Sequence, residues 1–479
     1  MSEQKTEIMQ RKIGLFEAVS MIVGLTIGAG IFVLLPIMTG MTGPSIYLAV
    51  AVAGIPSIFI VLFEIQLTGT LPVTGANYVT ITRVAGAAWG SIVAFAAVLA
   101  LMAGNVLMAV GFAQYVTAFI QSFNPIFSFS PEILAIGIVL FFAMVNFFGV
   151  SVTSWMQVIL FLFMVIGMVI FGIVGAVNVN PVNLSPLFPK GAIMFVVVMV
   201  LGCMLWSGLI ALADIGGDVK KPRRNLPLAL IIAFTAILLL YVLQAYGLVA
   251  SMNWQDVAKI GNTAVMVDAG RIMPSIGIYI VFIACMGAIL TSINGTMWAC
   301  ARDLVAWARD GLLPKSVAHL NPRFKSADLA ILIITIISIL GILLAATIDK
   351  YALAAVLAVV TITIVLAWSV YKIPQKLPEL YSKSLIKFNP FWRLFTFLGA
   401  VITSVFLLLM GILLDTMDAQ GNPTKVPWVV FVFLGVLALG AIWYISRKSY
   451  LRGKGIDLDA NLKKVADATL AEAEEKLTA

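Results

Sequence analysis

The stretch GLFEAVSMIVGLTIGAGIFVLLP, residues 14–36, decides how the chain is to be read. It is as long and apolar as the about 20 helical residues that cross a bilayer core about 30 Å thick. Yet Gly24, Gly28 and Gly30 crowd its middle. A glycine costs about 1 kcal/mol against alanine inside a helix, and unpaired backbone in hydrocarbon costs more still. Two readings follow. In one, the helix is interrupted and its freed amides and carbonyls line a polar cavity. In the other, Gly24 and Gly28 form a GxxxG pair that packs against a neighbouring helix. A dinucleotide-binding loop is excluded, because no alternation of strand and helix surrounds the glycines.

The rest of the chain places this segment in a membrane. Of 479 residues, 62% are hydrophobic and 11% charged, with a mean hydropathy of +1.08. A soluble domain carries about a quarter charged residues. Apolar runs of spanning length recur, without the alternation that marks barrel strands. The reading is an all-α integral membrane protein of twelve transmembrane helices. The first six spans fall near 13–38, 44–69, 88–120, 131–149, 153–177 and 191–216. The second six fall near 226–250, 274–304, 327–347, 352–373, 392–414 and 427–446. Soluble enzyme, nucleic-acid binder and disulfide scaffold are excluded. Cys203, Cys285 and Cys300 all lie inside apolar segments, and the single histidine, His319, lies in a basic loop. Neither metal spacing nor a catalytic triad can be built from them, so no enzyme and no cofactor are expected.

The net charge of +8 follows from topology. With the N-terminus in the cytoplasm, 25 of the 30 Lys and Arg fall inside, and the outer loops hold only Lys190, Lys259, Arg271, Lys350 and Lys425. That asymmetry is the positive-inside rule, so both termini are expected in the cytoplasm and the chain in the plasma membrane. Residues 1–12 read as a polar cytoplasmic segment without the pattern of a cleaved signal, so the first span is expected to persist. Residues 447–479 read as a polar tail, whose end NLKKVADATLAEAEEKL is either an exposed amphipathic helix or mobile.

A second interruption changes the weight of the first. CMLWSGLIALADIGGDVKKPRRNLP, residues 203–227, carries Ser207-Gly208 in mid-span and Gly216-Gly217 near its end. Spans one and six begin two halves of five spans each, 13–177 and 191–373, with 392–446 outside the repeat. Five is odd, so the halves would lie inverted. Interrupted spans at matching positions of inverted halves are the best sequence pointer to a transporter's binding site. The amides at a half-helix start carry about half a positive charge and suit a carboxylate. The carbonyls at a half-helix end suit an ammonium group or a metal ion, so together they suit a zwitterion.

Four blocks then resemble one family. TIGAGIF at 26–32, LPVTGANYV at 71–79, GGDVKKPRRNLP at 216–227 and ARDLVAWARDGLLPKSVAHLNPRF at 301–324 are similar, in order, to segments of the amino acid–polyamine–organocation (APC) superfamily of secondary transporters. The resemblance runs from residue 13 to about 446. It implies a five-plus-five inverted repeat with discontinuous helices one and six, and transport by alternating access. It also implies that the backbone of Ile27, Gly28, Ala29, Gly30 and Ile31 cradles the substrate's carboxylate and amine, completed by Ser207, Gly208 and Leu209. Trp206 falls where the family keeps a gating aromatic; it also reads as an ordinary buried tryptophan, one of ten.

Substrate and coupling are read from what surrounds that cradle. Relatives that take cations often place an acid just after the helix-six break, where this chain has Ile210 between Leu209 and Ala211. An unpaired cation would be costly there, so a neutral, apolar or small amino acid is expected. Asn105 reads as a polar substrate contact or as a helix–helix hydrogen bond. The lysine that some proton-driven relatives carry in helix five is replaced by Met164. In sodium-driven proteins of this fold, two hydroxyls of helix eight join carbonyls of helix one. Thr291 and Ser292 match them, with Gly24 and Ile27 as carbonyl donors; otherwise the hydroxyls bond back to their own helix. For a proton, Glu64 and Asp214 are the acids within the spans, and both also fit pairing with Arg83 or Lys220. Glu17, Arg83 and Asp218 read as an inner gate or as solvated charges. The expected partners are therefore an amino acid, Na+ or H+, and the bilayer, with no nucleic acid. A polyamine or organic-cation carrier, or an exchanger, of the same fold is the alternative.

Overall fold

A computed structural model describes residues 14–28, 30–71, 76–126, 129–148, 153–211, 219–321, 323–324, 326–384, 386–416, 426–460 and 462. Ala29, Asp214, Asp218, residues 1–12 and most of the tail lie outside them. Among the described residues the regular structure is helical, with no strand. In the first half α1 is Leu15–Thr26, α2 Gly30–Thr42, α3 Ile46–Val52, α4 Ile55–Thr70, α5 Ala76–Val84, α6 Ala87–Gln121, α7 Pro131–Phe148, α8 Thr153–Val177 and α9 Gly191–Met204. In the second, α10 is Pro222–Ser251, α11 Trp254–Ile260, α12 Ala264–Ile272, α13 Gly277–Arg309, α14 Asp328–Leu343, α15 Ile348–Lys376, α16 Pro378–Lys383, α17 Pro390–Asp415 and α18 Trp428–Arg452.

Ten helical stretches among these residues are long and apolar enough to cross a membrane. One of them, Gly30–Thr70, is a single apolar run of 41 residues, twice what one crossing needs. It is punctuated at Gly43–Ser45, a 3-10 turn in which Gly43 takes φ 76° and Pro44 follows. Glycine enters that left-handed region without strain. Leu15–Gly24 and Asp328–Leu343 are apolar but shorter.

Burial separates central from peripheral helices. In the apolar window of Ile348–Lys376, 78% of residues are buried within the protein, against 17% for Pro131–Phe148 and Trp428–Arg452. Helix α15 therefore forms the centre with α6, against which it packs, while α7 and α18 show large apolar side chains to the surroundings. Such faces suit a lipid surround.

Helix α8 lies between α10 and α13, and at two points backbone meets backbone. A Cβ added to Gly175 would come 2.6 Å from the Gly247 carbonyl oxygen, and one on Gly287 would come 2.7 Å from that of Leu160. Small residues at these points let the backbones touch, the usual way helices hold together where lipid removes the hydrophobic incentive.

Polar pins fix the helix ends. Asp415, fully buried at the end of α17, accepts from Lys350 Nζ at 3.0 Å and from the Val430 amide at 2.9 Å, joining α15, α17 and α18. Asp415→Ala would strand a mostly buried ammonium, a change that costs about 3 kcal/mol. The expected result is a clearly lower unfolding temperature in detergent, and an unchanged one would show that the pin contributes nothing. Asp268 of α12 is paired with Arg271 at 3.0 Å and accepts from the Ser251 hydroxyl. Burial raises its carboxyl, against the opposing pull of Ser251 and Arg271.

Candidate functional site

The first segment folds as two helices. Helix α1 ends at Thr26, where Ile27 adopts φ −79°, ψ 73° and the Gly28 amide donates to the Thr26 carbonyl at 2.9 Å. That is an inverse γ-turn, the tightest way to redirect a chain without left-handed backbone. Helix α2 then starts at Gly30, so its first amides have no partner within the helix. The glycines are needed for closeness. A Cβ on Gly28 would lie 2.9 Å from both Met108 Cε of α6 and Ser292 Oγ of α13, and one on Gly30 would lie 2.8 Å from Leu205 Cδ2. Ile27 and Ile31 are fully buried beside them. Gly24, in contrast, sits 3.8 Å (from an added Cβ) from Phe161 of α8.

The second interruption lies in the stretch read as span six. Helix α9 stops at Met204, and after two turn residues the chain forms a 3-10 segment, Ser207–Ala211. Ser207 Oγ donates to the Met204 carbonyl at 2.8 Å, satisfying one of the carbonyls a helix end leaves over. Gly208, Leu209 and Ile210 belong to that 3-10 segment. Trp206 is wholly buried, its ring 4.9 Å from Phe234 and 5.5 Å from Tyr241 of α10, and close against Gly54. Its indole N–H has no hydrogen-bond partner among the described residues. A cavity of about 30 Å³ borders Trp206, Ser207 and Cys203, with Ser57, Thr363 and Ser404 on its other walls.

One residue ties the two breaks together. The Tyr241 hydroxyl lies 2.7 Å from the Leu205 carbonyl oxygen and 3.1 Å from that of Thr26. Having a single proton, it serves the ends of α1 and α9 at once. Sequence reading missed it. The signal was there, in the first of two tyrosines of the run AILLLYVLQAYG, with Gln244 a turn further on. Gln244 is also fully buried, and neither end of its amide has a partner among the described residues. Tyr115 of α6 makes a similar bond, to the Phe32 carbonyl of α2 at 3.0 Å.

Helices α6, α13 and α14 are joined by side chains. The Asn105 amide donates to Ser338 Oγ at 2.8 Å and accepts from Thr296 Oγ1 at 3.3 Å, so both its ends are engaged between helices. Asn146 donates to Asn294 at 3.1 Å. Thr291 and Ser292 donate back to Gly287 and Ala288 at 2.9 Å and 2.8 Å. Their oxygen lone pairs remain to accept or coordinate, and Ser292 Oγ lies 2.9 Å from a Cβ added to Gly28, at the break in the first segment. Met164 is fully buried in α8, its amide nitrogen 3.6 Å from a Cβ added to Gly287 of α13. Among the described residues no group of three His, Cys, Asp or Glu is placed to hold a metal.

The acids are spread out. Glu64 is fully buried on α4, Glu17 and Arg83 lie on α1 and α5, and Asp214 lies outside the described residues. A further acid was overlooked in the sequence. Asp310, which caps the end of α13, faces the Tyr78 hydroxyl of α5, and burial pushes its carboxyl up to about 6.

The chain has known relatives. The family described as "Amino acid permease" matches residues 13–441. An uncharacterised protein of Methanocaldococcus jannaschii is 25% identical over 367 residues, covering 75% of this chain and 82% of the relative. The branched-chain amino acid permease BcaP of Bacillus subtilis is 23% identical over 341 residues, covering 67% and 72%. The vacuolar cationic amino acid transporter 8 of Arabidopsis thaliana is 25% identical over 332 residues, covering 66% and 55%.

Proposed function

We propose, because this chain belongs to the amino acid permease family of the APC superfamily and is a transporter and not an enzyme, that it carries neutral, apolar or small amino acids across the plasma membrane by alternating access. The observation that carries the proposal is the meeting of two helix interruptions at one tyrosine, Tyr241. The substrate's carboxylate would take the free amides at the start of α2, from Gly30 and Ile31 onward, with Gly28 and Ala29 on the approach. Its ammonium would take carbonyls at the end of α1 and around Ser207, Gly208 and Leu209, and Trp206 would move as the gate. Met108, Leu205 and Ile31 around the break offer apolar walls, which favours an uncharged side chain. The name of BcaP agrees with an apolar substrate. That of the Arabidopsis relative supports the alternative, a cationic substrate, with Glu64 as the one fully buried acid on α4.

The architecture proposed with this function has twelve spans. Taking Gly30–Thr70 as two crossings split at Gly43, joining α1 to α2, and adding α14 supports that number. The repeat halves are 13–177 and 191–373, spans eleven and twelve lie outside them, and both termini face the cytoplasm. Coupling is proposed to an ion. Sodium would sit between the Gly24 and Ile27 carbonyls and the Thr291 and Ser292 hydroxyls, while a proton would ride on Glu64 or Asp214.

Uptake of a labelled neutral amino-acid panel into proteoliposomes, with sodium and proton gradients imposed separately, tests the whole. Accumulation under sodium alone supports the Ser292 site, and accumulation under protons alone supports the acids. No transport of any neutral amino acid overturns the substrate assignment in favour of a cation. If sodium drives uptake, Ser292→Ala is expected to raise the sodium concentration for half-maximal uptake about tenfold, the loss of one charge-assisted bond of 1.5 kcal/mol or so. An unchanged sodium dependence would remove Ser292 from the site.

A further inference from the structure

Away from the helix breaks, α7 and α14 enclose a groove of about 790 Å³, well within the range of about 300–1,000 Å³ that small ligands occupy. One wall is Leu140, Ala143, Met144 and Phe147, a single face of α7 at helical spacing. The other is Leu329, Ile331, Leu332 and Thr335 of α14. Apart from Thr335, whose hydroxyl is spent on the Ile331 carbonyl, the polar lining gathers at the end where α7 finishes and α14 begins: Ser316, His319 and Asp328, with His319 Nδ1 3.0 Å from Asp328 Oδ1. Two exposed cations flank that end. Lys315 precedes Ser316 in the chain, and Arg323 lies over Phe324 at 5.2 Å. Phe324 itself packs on Phe147 and Phe148 at 5.7 Å and 5.2 Å, which anchors the arginine at the groove mouth.

We propose that this groove holds an acyl chain of an anionic glycerophospholipid, whose phosphate lies against Lys315, His319 and Arg323. The walls are side chains of two membrane helices, so whatever fills the groove is drawn from the bilayer. The charge decides which lipid. Basic pockets between spans at a membrane surface select anionic headgroups, and the one acid among the described lining residues, Asp328, already faces His319. With the N-terminus in the cytoplasm, as proposed above, this is the inner leaflet; the binding itself does not depend on that orientation or on the substrate.

Native mass spectrometry of the full chain in detergent, titrated with phosphatidylglycerol and with phosphatidylcholine of the same acyl chains, tests the proposal. Wild type is expected to retain phosphatidylglycerol preferentially. The double variant Lys315→Gln, Arg323→Gln replaces two exposed side chains, so the fold should stand, and the preference should fall roughly 25-fold, about fivefold for each charge. Ala143→Trp fills the groove and should lower retention of both lipids alike. Equal retention of the two lipids by wild type, or a preference untouched by the double variant, would overturn the proposal.

Discussion

Gly30→Leu is expected to abolish uptake while the protein still reaches the membrane and elutes as a folded species. A Cβ alone at this position would come 2.8 Å from Leu205 Cδ2, and leucine adds three more carbons. Overpacking of this sort costs about 1–3 kcal/mol, which a protein of this size survives. The site does not survive it so easily. Leu205 follows the last residue of α9, and its carbonyl is held by Tyr241; its Cδ2 can swing away from a single added carbon, but a whole leucine side chain outgrows that rotamer change and presses on the second break. A displacement of about 1 Å in a binding constellation costs on the order of a hundredfold in rate. Initial uptake in proteoliposomes should therefore drop by about that factor or more, while Gly137→Leu, at a position with nothing within 4 Å of an added Cβ, should transport normally. Normal uptake by Gly30→Leu would take the start of α2 out of the substrate path.

The second large effect is expected from Tyr241→Phe. The change deletes one oxygen and leaves the ring against Trp206 in place. Both carbonyls, of Thr26 and Leu205, lose the donor they share. An unmatched buried carbonyl costs about 1–3 kcal/mol, and the Gly28 amide already covers part of the Thr26 oxygen, so the loss falls mainly on the end of α9. Maximal uptake should fall roughly tenfold, the rate equivalent of about 1.4 kcal/mol. The unfolding temperature should move by only a few degrees. A large thermal shift with unchanged uptake would make Tyr241 a mere packing residue.

These two residues mark what sequence can and cannot disclose. Gly30 was legible because glycine in a hydrocarbon-depth helix is locally expensive, and local expense shows in local sequence. Helices such as Thr153–Val177 and Pro390–Asp415 were legible because the bilayer sets how long an apolar helix must be, which is again a local cost. Tyr241 was not legible, because its value arises from carbonyls 36 and 215 positions away, and no periodicity records such a meeting. Asn105 was open for a related reason: its type allowed either a substrate or a neighbour, and only tertiary structure names Ser338 and Thr296. Asp310 was hidden by its setting, since a loop acid looks solvated until burial raises its carboxyl.

The bare contacts around α8 carry a mechanical consequence. Where Gly175 meets Gly247 and Gly287 meets Leu160, no side chain stands between the backbones to act as a bearing. Rotamer changes cannot absorb sliding there, and any travel of one helix along another would drive backbone into backbone. Helices α8, α10 and α13 are therefore expected to travel together, with the hinges of a transport stroke outside them. Spin labels on α8 and α10 should keep a constant separation with and without substrate, even as labels across the break at Gly28 move apart.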